Sequence, residues 1–94
     1  MYVAVRKYTT GSEFADALVE NESEVRRLIT GIDGFRAYDL ARTDDGAVTI
    51  SVYDDRSGAE ESNRQAADWV RENLSHLSVS PPQISAGDVA FSLP

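Results

Sequence analysis

The side chains in this sequence that could do chemistry are few and scattered. Asn63 and Trp69 lie six residues apart in one helical stretch. An amide can donate a hydrogen bond to a substrate carbonyl or to an enolate as charge develops, and an indole can stack on an aromatic ring. Asn21 and Glu22 fall together in an earlier helical stretch, where Glu22 can act as a base if burial raises its pKa. Tyr38 and Arg36, on a strand, can orient a phenolic or carboxylate ligand. Each also has a plainer explanation: Asn63 can complete a helix start, Trp69 can be a packing residue with its N–H satisfied, and Glu22 can reach water. No nucleophile stands beside a base and no glycine-rich phosphate loop occurs, so hydrolase and nucleotide-binding chemistry have no support.

The composition narrows the choice further. There is no cysteine and one histidine, which removes thiol nucleophiles and thiolate metal sites and predicts a chain without a metal or other cofactor. The net charge of -7 argues against nucleic acid, whose phosphates need a clustered cationic surface. No apolar run approaches the ~18 residues of a membrane span, and no basic segment precedes an apolar one. The expectation is a soluble, unprocessed, cytoplasmic protein with a single domain over residues 1–94.

The elements that must position these residues follow from periodicity. Residues 1–8 alternate as a strand, with Val3 and Val5 on one side and Tyr2, Ala4, Arg6 and Tyr8 on the other. Thr10 and Glu13 have the spacing of a capping box, which predicts a helix running to Thr30 and stopping at Gly31. Phe14, Leu18, Val25, Leu28 and Ile29 share one face of that helix, interrupted by Asn21 and Glu22. Residues 34–54 read as a hairpin turning at Asp45-Gly46. Ser57 and Glu60 form a second capping box, opening a helix over residues 58–77 with an apolar stripe of Ala59, Ala66, Val70, Leu74 and Leu77. Asn63 sits in that stripe and Trp69 on its edge. Pro81-Pro82 enforces a loop, and residues 84–93 form a last strand bent at Gly87.

Strand, helix, strand, strand, helix, strand is the split βαβ order of ferredoxin-like α+β folds: a four-stranded antiparallel sheet with both helices on one face. A two-residue turn at Asp45-Gly46 sets Leu40 opposite Ser51 and Tyr38 opposite Tyr53. Phe35, Ala37, Ala41, Val48, Ile50 and Val52 then share the other face, and their apolar character predicts that this face meets the helices together with Val3 and Val5. Tyr2, Tyr8, Tyr38, Leu40 and Tyr53 would project outward, with Arg6, Arg36 and Arg42. Tyrosine and arginine are enriched at interfaces, so a homodimer built sheet face to sheet face through these tyrosines and Leu40 is expected.

Several motifs carry a resemblance: Gly34, Phe35, Tyr38 and Leu40 in the hairpin, the turn over residues 44–46, the strand end over residues 51–55, and Ser62, Ala66, Trp69 and Val70 in the last helix. With the order of elements, they make the chain similar to the antibiotic biosynthesis monooxygenase-like group of dimeric α+β barrels. The resemblance implies a dimer and a cavity between sheet and helices. It also implies a possible kinship with cofactor-free oxygenases of aromatic polyketides, which use an asparagine and a tryptophan on the second helix; Asn63 and Trp69 match in type at a wider spacing. Haem-degrading relatives use an asparagine on the first strand, and here that strand has none.

Two functional readings remain. One is a non-catalytic dimeric barrel that binds a small ligand, an aromatic one being the candidate, or serves as an interaction module. The other is a cofactor-independent monooxygenase whose aromatic substrate itself reduces oxygen. The scarcity of convergent acid, base or metal groups favours the first.

Overall fold

Side chains of β1 (Tyr2–Tyr8) alternate between two environments, and the computed structural model, which describes all of residues 1–94, shows which side is inside. Ala4, Arg6 and Tyr8 are buried, whereas Val3 and Val5 are half-buried on the opposite face. After β1 come α1 (Ser12–Glu20), α2 (Glu22–Thr30), β2 (Phe35–Thr43), β3 (Gly46–Tyr53), α3 (Arg56–Asn73), a 3₁₀ turn at Ser75–Leu77 and β4 (Gln83–Asp88). The four strands form one antiparallel sheet in the order β2-β3-β1-β4 with the helices on one face. This is the ferredoxin-like α+β architecture that the element order predicts.

The faces of the sheet are the reverse of the expectation. Tyr8 and Tyr53 are 4% and 0% exposed, and Tyr38 and Leu40 are half-buried beside them, all against the helices. Tyr2 packs against the same interior. Tyr8 and Tyr53 therefore belong to the monomer's core, with Tyr2, Tyr38 and Leu40 packed at its edge on the helix side, and the five do not form the outward sheet face. The physical reason lies in reach: rings from the sheet span to α1, α2 and α3, as in the tilted Tyr8–Phe14 pair at 4.2 Å between ring centres. The aliphatic residues Val3, Val5, Val48, Ile50 and Val52 are left half-buried on the uncovered face.

The hairpin register also differs. Thr43 pairs with Gly46, so the turn residues are Asp44 and Asp45, neither with positive φ. Tyr38 then lies opposite Ser51 and Leu40 opposite Thr49. The slip of two residues keeps every side chain on its face. A bulge between Phe35 and Ala37 turns Phe35 to the inner side, where its ring meets Tyr53 edge-on at 5.9 Å. Gly46 serves the sheet itself: a Cβ there would lie 2.1 Å from the Tyr8 carbonyl oxygen.

The predicted first helix is divided in two at Asn21, whose φ of -106° and ψ of 26° leave the helical region. Its side-chain amide donates to the Ala17 carbonyl at 2.8 Å while its backbone carbonyl accepts from the Glu24 and Val25 amides, so one residue closes α1 and starts α2. Neither predicted capping box forms. Gly11 with φ 81° precedes α1, and the Thr10 hydroxyl is buried without a partner. Asp55 caps α3 by accepting from the Gly58 amide at 3.3 Å, which starts that helix earlier than predicted. Gly31 remains helical in φ and ψ, and Gly34 takes the left-handed conformation instead. The last strand ends at Asp88, and Phe91 and Leu93 are exposed.

Two apolar clusters fill the interior. One joins Tyr8, Phe14, Ala15, Leu18, Ala47, Trp69 and Leu74; the other joins Ala4, Ile29, Ile32, Tyr53 and Ala59. Between Ala4 and Tyr8 on β1 stands Arg6, so a polar layer separates the two.

Candidate functional site

Arg6 is the centre of that layer, and alternation explains how it comes to be there. It occupies the inward face of β1 directly opposite Thr49 of β3, with Ser51 one inward position further along. Helix α3 supplies the other side: Gly58, Ala59, Ser62 and Trp69 form its buried face, and Asn63 lies next to Ser62. The guanidinium, 2% exposed, donates from Nε to Thr49 Oγ1 at 3.0 Å, from Nη1 to Ser62 Oγ at 3.3 Å and Asn63 Oδ1 at 2.5 Å, and from Nη2 to Ser51 Oγ at 2.7 Å. Every acceptor is neutral.

Two hollows meet at this layer. A small inner cavity of about 20 Å³ is bounded by Arg6, Tyr8, Phe14, Thr49 and Trp69. A groove of about 430 Å³ opens between the first two helices and β2, walled by Val19, Phe35 and Leu40 and bordered by the Glu22–Arg26 ion pair. Leu18, Val25, Ile29 and Tyr38 line both, so the hollows adjoin. Their walls are mostly apolar, with polar groups at the inner end around Arg6 and at the groove's outer border, the usual make-up of a small-molecule site.

Burial raises the phenol pKa of Tyr8, Tyr38 and Tyr53 above the ordinary 10.0, and the nearby Arg6 charge pulls each partly back down. The three phenols are therefore protonated at neutral pH. Tyr53 donates its hydroxyl to the Ile29 carbonyl at 3.1 Å, which ties β3 to α2. The Trp69 N–H donates to Glu24 Oε1 at 2.9 Å, and this bond joins α3 to α2 across the inner cavity's lining. With Glu24 engaged in this way and Glu22 at the groove's border paired with Arg26, the site holds donors and a fixed positive charge and no free base. Such a set can bind and polarise an oxygen-bearing ring; it is not arranged to take up a proton.

Of the residues singled out from sequence, the structure brings Asn63, Trp69 and Tyr38 together around Arg6 and the cavity. Glu22 stays at the groove's border, exposed and paired with Arg26 at 2.5 Å. Asn21 is spent on the break between α1 and α2. Arg36 sits in the bulge, exposed, paired with Asp54 at 2.5 Å and away from either hollow. Sequence reasoning missed Arg6, Thr49, Ser51 and Ser62 as a site. The available signal was a cation in mid-strand opposite two hydroxyl residues at period two.

No protein-family model matches the chain, and no curated protein does. Solved structures match along nearly its whole length. A monooxygenase from the ActVA-Orf6 gene of Streptomyces coelicolor, in complex with nanaomycin D, is similar at a TM-score of 0.68 and 19% identity, covering 99% of this chain and 89% of that one. SnoaB, a cofactor-independent oxygenase from Streptomyces nogalater, in a variant with an asparagine replaced by alanine, is similar at 0.67 and 17% identity over 99% of this chain and 96% of its own. Rv0793 from Mycobacterium tuberculosis reaches 0.61 and 22% identity with 100% of both chains covered. At these identities the likeness establishes a shared fold.

Proposed function

From the antibiotic biosynthesis monooxygenase-type fold that this chain has, we propose that it binds a small planar aromatic molecule in the groove between its first two helices and β2. The observation that carries this reading is the adjoining pair of hollows, apolar along the groove and polar where Arg6, Tyr8 and Tyr38 converge. Titration with 1,4-naphthoquinone should quench Trp69 emission saturably. Leu40→Phe, which adds bulk to the groove wall, should weaken the quench at least tenfold. Absence of a saturable change, or a quench indifferent to Leu40→Phe, overturns the reading.

Oxygenation of such a ligand is the second reading. It is favoured by Asn63 and Trp69 standing on one helix at the inner end, and by the similarity to proteins described as oxygenases. An anthrone would lose two hydrogens at its methylene carbon and gain one oxygen atom there, the second oxygen atom leaving as water, so that the substrate supplies the electrons. Oxygen uptake with a dihydroxyanthrone that disappears in Asn63→Ala supports this; uptake equal to the uncatalysed rate excludes it.

A second copy of the chain is the proposed partner. The outer sheet face presents Val3, Val5, Val48, Ile50 and Val52 as a contiguous aliphatic surface, of the kind that marks an association face. The homodimer is thus proposed through these residues in place of the tyrosines.

A further inference from the structure

We infer that the molecule held at this site is an anion: its flat apolar body lies in the groove, and one negatively charged oxygen, from a carboxylate or an ionised enol, reaches the Arg6 guanidinium. The inference rests on the groove reading above and adds the charge of the ligand to it.

The first support is the company Arg6 keeps. Arg26, Arg36, Arg42, Arg56, Arg64 and Arg71 all pair with carboxylates at the surface, and Arg27 is exposed to water. Arg6 alone is buried, and it meets four neutral oxygens. Shortage of acid does not explain this, since the chain has 16 acidic residues against nine basic ones. Arginine is effectively always charged, and a charge removed from water without a counter-charge is a costly arrangement. At Asn63, whose Oδ1 is 2.5 Å from Nη1, an aspartate would provide the counter-charge with almost no change in shape. The site instead keeps its cation uncompensated.

The second support is geometric. A guanidinium has five N–H groups, and the hydrogen bonds to Thr49, Ser62, Asn63 and Ser51 use four, leaving one on Nη2. Arg6 lines the inner cavity, whose volume of about 20 Å³ is room for a single water-sized group. A carboxylate or enolate oxygen has that size. The ring that carries it would extend past Leu18, Val25, Ile29 and Tyr38, the residues common to cavity and groove. The protein's own charge of -7 opposes the approach of an anion, and the one arginine at the groove's border, Arg26, is already neutralised by Glu22, so a preference for an anion points to the buried guanidinium.

The test compares three probes by quenching of Trp69 emission: 2-hydroxy-1,4-naphthoquinone, which is an ionised enol at neutral pH; its neutral 2-methoxy ether; and 2-naphthoate. The hydroxyquinone, the naphthoate or both should bind about tenfold tighter than the ether, the difference expected between a charge-assisted and a neutral hydrogen bond, and whichever binds tighter identifies the anion source. Added salt should tighten the anion slightly by screening the acidic surface, whereas an anion sitting on exposed arginines would be weakened. Arg6→Gln should erase the preference, bringing the charged and neutral probes to equal affinity. Because Arg6→Gln removes a buried network and can fail to fold, Asn63→Asp is the second variant: it supplies the counter-charge from within the chain and should erase the same preference. Equal affinities of charged and neutral probes in the unaltered protein, or a preference that survives Asn63→Asp, overturns the inference and leaves the groove reading standing. No binding of any probe overturns both.

Discussion

Gly58 shows how tightly the site depends on the seat of α3. It lies in the first turn, and a Cβ placed on it would stand 2.9 Å from Tyr53 Cδ1, 3.0 Å from Tyr53 Cβ and 3.0 Å from the Asp33 carbonyl oxygen. None of the three can yield cheaply. The Tyr53 ring is fully buried, and its hydroxyl is fixed to the Ile29 carbonyl; the Asp33 oxygen belongs to the backbone. In Gly58→Ala the helix must therefore lift. Overpacking of this kind costs about 1–3 kcal/mol. Against it stands the better helix propensity of alanine, at most about 1 kcal/mol in a helix interior and less in a first turn. The net expectation is destabilisation by about 1–2 kcal/mol, which for a domain of this size lowers the urea midpoint by about 1 M at unchanged slope. The lift also reaches Ser62 and Asn63 one turn on, where the Ser62–Arg6 bond is already 3.3 Å, so quinone binding should weaken together with stability. Equilibrium urea unfolding followed by Trp69 fluorescence measures the first effect, and the naphthoquinone titration measures the second. A variant as stable as the parent, or more so, would refute the claim that α3 is seated directly on Tyr53.

Two further outcomes are expected. Tyr8, Tyr38 and Tyr53 have phenol pKa values raised by burial above the unfolded value of about 10, so their contribution to stability is complete below that pH; as pH rises, the unfolded chain gives up its protons first and the contribution is lost through the folded-state values. The urea midpoint should hold between pH 8 and about 9.5 and fall beyond about 10, less steeply in Tyr38→Phe; a flat profile to pH 11 would contradict the burial of these phenols. On the outer face, Ile50→Lys should turn a dimer into a folded monomer with unchanged circular dichroism, read by sedimentation velocity, and a parent chain that is already monomeric at micromolar concentration ends the association argument.

Much of the fold was legible because strand and helix periods are long-range averages that no single residue can spoil. Alternation in β1 and β3 and the apolar face through Phe14, Leu18 and Ile29 were enough for the order of elements. What failed was local or two-sided. Asp44, Asp45 and Gly46 all suit a turn, and the choice among them was decided by Gly46, which must lie inside the strand because Tyr8 passes too close for a side chain. The capping motifs misled because Ser57 has a stronger neighbour in Asp55, which accepts from both the Ser57 hydroxyl and the Gly58 amide. The faces of the sheet were inverted because hydrophobicity alone ranks Val48, Ile50 and Val52 above Arg6, Thr49 and Ser51. A ranking by single residues cannot see that four neutral oxygens and a guanidinium satisfy one another. The same blindness hid the centre of the site while leaving Asn63, Trp69 and Tyr38 visible at its edges.

The polar layer has a bearing on how the chain finds one structure among near alternatives. Its bonds join residues 43 to 57 positions apart: those to Thr49 and Ser51 form as β1 meets β3, and those to Ser62 and Asn63 as α3 closes on the pair. A sheet whose inner face was aliphatic throughout could slide β1 along β3 by two residues and lose little, because methyl groups fit many partners. Here such a slide would set Arg6 opposite Ala47 in one direction and opposite Ser51 in the other, and neither alignment keeps Thr49 opposite the guanidinium with Ser51 one inward position along. The arginine thus acts as a key cut for one alignment of the strands, and the mispaired sheets that a small α+β domain could otherwise sample are penalised as the helices close over them.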